Sequence, residues 1–215
     1  MTGCLTMWMG QRIRPVPPER RRGIYLVDVP PAAEPLIPAD ILHSGVRLSN
    51  EPDDVLQAAG LKARLRENAL LLDKLRGAEL VITRRLHVML PCIGFGTPVV
   101  TFTAAKPPRM QKNWRFDGCE RFARIVPLDA QGGARMEVDW NDRRPSEIPS
   151  GLRARFEEFC ARIGSTDEPI YDCCTQAVEQ LIPDNAAFYP RRSARPVADW
   201  VGRTLSGAGL RAMPR

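Results

Sequence analysis

The stretch Ala78-Glu-Leu-Val-Ile-Thr-Arg-Arg-Leu-His87, followed after Val88 and Met89 by Leu90-Pro-Cys-Ile-Gly-Phe-Gly-Thr-Pro-Val-Val-Thr-Phe102, decides how this chain folds. Leu80 to Thr83 and Pro98 to Phe102 are short, unbroken apolar runs, the form a strand takes when both faces of a parallel sheet are covered. Between them lies room for one helix, short or kinked because Pro91 falls within it. Thr83, Arg84, Arg85 and His87 therefore belong to the turn between a buried strand and a helix. In open parallel sheets that turn, at the carboxyl end of the strand, faces ligands, and the helix start adds unpaired N–H groups and about half a positive charge. A guanidinium can hold phosphate or carboxylate through two parallel hydrogen bonds, and an imidazole, with an ordinary pKa of ~6.5, can give or take a proton near neutrality. The chemistry suggested is capture of a small anion. The plainer alternative is that Arg84 and Arg85 pair with surface carboxylates while His87 caps the helix.

The neighbouring sequence repeats the strand-and-helix rhythm. Gly23-Ile-Tyr-Leu-Val-Asp-Val29, bounded by Pro30 and Pro31, reads as a buried strand with Asp28 at its carboxyl rim. Gly45 to Asn50 alternates as a shorter strand, and Asp53 and Asp54 supply negative charge for a following helix start. Leu61, Leu65, Ala69, Leu72 and Leu75 form one apolar helical face that Gly77 ends. Arg124 to Asp129 suggests another strand; Leu152, Phe156, Phe159 and Ile163 suggest an amphipathic helix, and Thr175 to Leu181 a last short one. This alternation predicts an α/β fold, a Rossmann-like parallel sheet flanked by helices with right-handed crossovers. The expected organisation is an extended interlobe segment over 1–22, an α/β lobe over 23–182 and a basic, flexible tail over 183–215.

Composition narrows the function classes. A chain of 215 residues, 44% hydrophobic and 26% charged, can bury a substantial core. No stretch reaches the ~20 apolar residues of a membrane span, and Arg12, Arg14 and Arg20 to Arg22 are too dense for a secretory signal, so a cytoplasmic location is expected. Of the net charge of +6, residues 191–215 hold +5, with six arginines against Asp199. The body is nearly neutral and the basic end reads as solvated, which argues against nucleic acid. The six cysteines show no Cys-x-x-Cys spacing and there are only two histidines, so no metal centre is expected. His43 reads as a solvated loop residue and Cys92 as a small hydrophobe.

The run from Val81-Ile-Thr-Arg-Arg-Leu-His87 to Gly96-Thr-Pro-Val-Val100 resembles the signature of the polysaccharide pyruvyl transferase family, in its carboxyl-terminal half. Gly3-Cys-Leu-Thr6 is similar to that family's interlobe segment, Leu26-Val-Asp28 to its next strand, Arg115-Phe-Asp-Gly118 to an Arg-Phe-x-Gly element, and Val138-Asp-Trp-Asn141 to an acidic-Trp element. Together these cover roughly residues 3 to 160. Arg84 stands where the family usually has a small residue, and Cys119 where it has leucine. The resemblance implies one lobe of a two-lobed, GT-B-like fold. The activity it implies is transfer of pyruvate from phosphoenolpyruvate to two hydroxyls of a sugar or polysaccharide acceptor, with release of phosphate and no cofactor. Arg85 and His87 would be catalytic, the first holding phosphate or carboxylate and the second donating a proton. Thr83, Arg84, Lys106 and Arg115 would contact substrate. Because the similarity starts at the interlobe segment, an amino-terminal lobe is expected from a separate chain or a homodimer.

Two other readings compete. A GT-B-type glycosyltransferase lobe would bind a nucleotide sugar through Arg84 and Arg85, although no acidic residue is evident for a ribose. A non-catalytic anion-binding or interaction domain would use the apolar patch of Leu5, Met7, Trp8 and Met9 to dock another protein.

Overall fold

Leu80–Thr83 is the central strand, β3, of a computed structural model that describes residues 5–51, 61–103, 116, 118–129, 133–134, 136–162 and 170–181. All four of its side chains are buried, as an unbroken apolar run requires. Around it, β1 (Ile24–Val27), β2 (Val46–Leu48), β4 (Val99–Thr103) and β5 (Arg124–Pro127) complete one sheet in the order β2-β1-β3-β4-β5. Every pairing is parallel, with Leu26 opposite Ile82 and Ile82 opposite Val100. The expected Rossmann-like α/β fold is therefore what this chain adopts.

Alternation along the strands divides the core in two. Val27, Val81 and Val99 face one layer, formed by α2 (Leu61–Arg76) and α3 (Leu86–Phe95), where Leu75, Val88, Met89 and Cys92 are buried. Leu26, Leu80, Ile82, Val100 and Phe102 face the other, covered by a 3-10 turn over Pro31–Leu36 and by α1 (Ala39–Ser44), which contribute Ala33 and Ile41, with Ile37 between them. Two further helices follow β5: α4 (Ser150–Arg162) and α5 (Cys174–Leu181). Phe156 buries the apolar face of α4.

Helix α3 is ten residues long with Pro91 inside it, and Gly96 stops it by taking a left-handed conformation at φ 66°. Its last carbonyls meet a buried guanidinium. Arg21, only 6% exposed, donates from Nε to the Val16 carbonyl at 3.0 Å, from Nη2 to the Phe95 carbonyl at 3.3 Å, and from Nη1 to Gly96. A cation at a helix carboxyl terminus complements the dipole there.

The amino-terminal segment corrects two expectations. It is not wholly extended, since Leu5–Gln11 forms a 3-10 helix. Nor is its apolar patch a free docking surface: Met7 and Trp8 are 2% and 3% exposed, and Trp8 stacks on Phe156 with ring centroids 4.3 Å apart. Side chains that large lower the free energy by about 1.5–3 kcal/mol each when buried, so the chain covers them itself. The expected tail at 183–215 lies outside the described residues, as do Asp53 and Asp54. Among the described residues no helix is long and apolar enough to cross a membrane.

The other end of the lobe is pinned by a carboxylate from a distant helix. Asp73 of α2 accepts from the Cys174 N–H at 2.8 Å, the Thr175 N–H at 3.1 Å and the Thr175 hydroxyl at 2.9 Å, and so caps α5. Asp73→Ala should cost about 2 kcal/mol in urea unfolding, with Asp73→Asn, which keeps an acceptor, losing less. Equal stability of all three proteins would show that α5 is held by other contacts.

Candidate functional site

The order β2-β1-β3 places the topological switch point between β1 and β3. The connection leaving β1 runs over the α1 face and the one leaving β3 runs over the α3 face, so a crevice opens between them at the strands' carboxyl ends. The residues bordering it are Asp28, directly after β1, and Arg84 and Arg85, directly after β3.

Arg85 caps the start of α3 with its backbone, its carbonyl accepting from the N–H groups of Val88 and Met89, while its side chain makes no capping bond. That frees the guanidinium to cross the crevice, where Nε donates to Asp28 Oδ2 at 3.0 Å and Nη2 pairs with Glu51 Oε1. Asp28 is tied down on three sides. Its Oδ2 also accepts from the Asn50 N–H at 3.1 Å, and its Oδ1 accepts from the Ser49 hydroxyl at 2.9 Å. Its backbone lies in the left-handed region at φ 49°, a strain on the order of 1 kcal/mol that these bonds offset. One guanidinium is thus matched by two carboxylates, and the site rests on the ends of β1, β2 and β3 together.

The residues read from sequence fall into three groups. Arg85 is one-third exposed at the crevice, and Arg84 and His87 are exposed on the same turn, with no ion pair or side-chain hydrogen bond among the described residues. Thr83 is fully buried and its Oγ1 accepts from the Arg85 N–H at 3.0 Å. It shapes the turn instead of reaching a ligand. Lys106 and Arg115 lie outside the described residues. Asp28 was visible only as a rim residue; Ser49 and Asn50 read as the end of a short strand, which stops at Leu48, and Glu51 carried no signal. The pairing of Arg85 with carboxylates matches the plainer reading in part, but one of those carboxylates, Asp28, is only 10% exposed and is no surface partner.

Beside Glu51 a cleft of about 730 Å³ runs between the end of β2 and α2, with Asn50, Arg64, Asn68 and Lys74 on its walls. The acidic-Trp element borders a separate hollow of about 610 Å³, with Trp140 leaning on Phe102 at 6.4 Å. His43 is exposed in the last turn of α1. Cys92, Cys173 and Cys174 are in no disulfide; burial pushes the thiols of Cys92 and Cys174 upward, which keeps them protonated and unreactive. No group of three or more metal-ligating side chains occurs among the described residues.

Fold and site define a Rossmann-like α/β lobe whose switch-point crevice presents an arginine braced by carboxylates. Comparison with protein-family models, with curated proteins and with solved structures gives no match.

Proposed function

We propose that this chain acts as the carboxyl-terminal lobe of a polysaccharide pyruvyl transferase, moving pyruvate from phosphoenolpyruvate onto two hydroxyls of a sugar as a ketal. The observation that carries the reading is the position of Arg85 and His87 on one strand-to-helix turn at the switch point, which is where an open parallel sheet binds anions. Arg85 would hold the phosphate or carboxylate of the donor. His87, unencumbered on the first turn of α3, would deliver a proton to the enol carbon or to the departing phosphate, and the start of α3 would stabilise the charge that builds up on oxygen. The acceptor and the remaining cleft wall would come from an amino-terminal lobe.

One feature supports a second reading. Glu51, three residues beyond β2, supplies an acidic group near the switch point, where Rossmann-like nucleotide sites hold a ribose. A glycosyltransferase lobe using a nucleotide sugar would place its diphosphate at Arg84 and Arg85. Thermal unfolding separates the two. At a hundredfold excess over its dissociation constant, phosphoenolpyruvate should stabilise the protein by about 2.7 kcal/mol, several degrees in Tm, and nucleotide sugars should not. Stabilisation by nucleotide sugars alone would reverse the assignment.

A further inference from the structure

We propose that the Arg85 crevice binds a single small oxyanion and that, in the unliganded protein, the carboxylate of Glu51 occupies that anion's place. This deepens the reading of Arg85 as an anion contact and does not depend on pyruvyl transfer. The two carboxylates on Arg85 differ in kind. Asp28 is nearly buried and fixed by Ser49 and Asn50 as well as by Arg85 Nε. It sets the plane of the guanidinium and stays in place. Glu51 is 65% exposed, and among the described residues its side chain meets only Arg85 Nη2.

An incoming phosphate or carboxylate oxygen could therefore take Nη2 from Glu51 without disturbing the bond to Asp28. The displaced carboxylate loses little hydration on either side of the exchange, because it is already mostly in water. It also has somewhere to go: the adjoining cleft has Glu51 on one wall and, on the others, the cations Arg64 and Lys74 against the single carboxylate Glu67. With Glu51 in place the Arg85 network carries one excess negative charge, and with Glu51 withdrawn it is neutral, leaving Arg84 and the start of α3, which has no side-chain cap, to favour an anion. Glu51 thus excludes weakly held anions and sets a threshold for those that bind in its place.

The test is titration of inorganic phosphate by calorimetry at fixed ionic strength, in the full chain and in Glu51→Gln. Removing a competing unit charge a few ångströms from the bound anion should tighten binding about tenfold. The gain should vanish in Glu51→Gln/Arg85→Gln; if that protein fails to fold by circular dichroism, Glu51→Gln/Arg85→Lys, which cannot keep the guanidinium fork, serves instead. Binding that is unchanged or weaker in Glu51→Gln, a gain that survives loss of Arg85, or no phosphate binding in either protein would overturn the proposal. Phosphoenolpyruvate and a nucleotide sugar run as parallel arms. Tighter phosphate with no phosphoenolpyruvate binding keeps the anion site and removes the pyruvyl donor, whereas weaker nucleotide-sugar binding in Glu51→Gln makes Glu51 a ribose ligand and removes the proposal.

Discussion

His87→Ala is expected to lower pyruvyl transfer by about 10²- to 10⁴-fold, the usual contribution of a positioned proton donor, while leaving the unfolding temperature within a degree of wild type. The second half of that expectation follows from the structure. His87 is exposed on the first turn of α3 and has no partner among the described residues, so alanine, the best helix former, removes nothing that holds the fold. A loss of rate without a loss of stability is therefore interpretable as chemistry. The assay pairs phosphoenolpyruvate and a sugar acceptor with the full chain and any companion lobe, and the donor dissociation constant should change little, because Arg85 remains. Activity within threefold of wild type would remove His87 from the reaction. Loss of donor binding with unchanged turnover would make it a binding contact.

The parts of this fold that could be read from sequence are those where one local pattern has one physical cause. Leu80 to Thr83 and Val99 to Phe102 are buried at every position because both sheet faces are covered, and apart from Thr83 and Thr101 they are apolar, so no polar side of a helix could be drawn through them. The stripe ending at Leu75 could be read because α2 is covered on one side only. Helix α3 shows no stripe, since every residue from Val88 to Ile93 is buried, and its helical state had to be inferred from the space between two strands. Arg21 was the least legible residue. Within Arg20-Arg-Arg22 it looks like one more surface charge, yet it lies buried on carbonyls at residues 95 and 96. The site divides the same way. Arg85 was placed at the rim by the strand it follows, but its partnership with Asp28, 57 residues earlier, depends on which strands become neighbours, and no local pattern records that.

Gly10→Ala should be the most damaging single methyl in the described structure, costing about 4 kcal/mol. A Cβ at residue 10 would stand 2.0 Å from the Gly94 carbonyl oxygen, and one at Gly94 would stand 2.6 Å from the Met7 oxygen and 3.0 Å from the Thr6 oxygen. The obstructing atoms are backbone on both sides, so no rotamer change relieves them. The Leu5–Gln11 turn would have to lift from α3, and overpacking strain of about 1–3 kcal/mol would be joined by partial exposure of Met7 and Trp8, worth a similar amount. In a domain whose whole stability is about 5–15 kcal/mol, that should lower Tm by roughly 10 °C. Gly77→Ala is the control, because its new Cβ meets nothing nearer than 3.6 Å. If Gly10→Ala unfolds with wild type and with Gly77→Ala, the amino-terminal turn does not lie on α3. The consequence reaches the site as well, since the helix gripped at Gly94 is the one that carries His87 on its first turn. A Gly10→Ala protein assayed below its lowered Tm should bind phosphate at Arg85 nearly as wild type does, because Arg85 is tied to Asp28, directly after β1, and to Thr83 of β3, but should transfer pyruvate more slowly because the proton donor has moved.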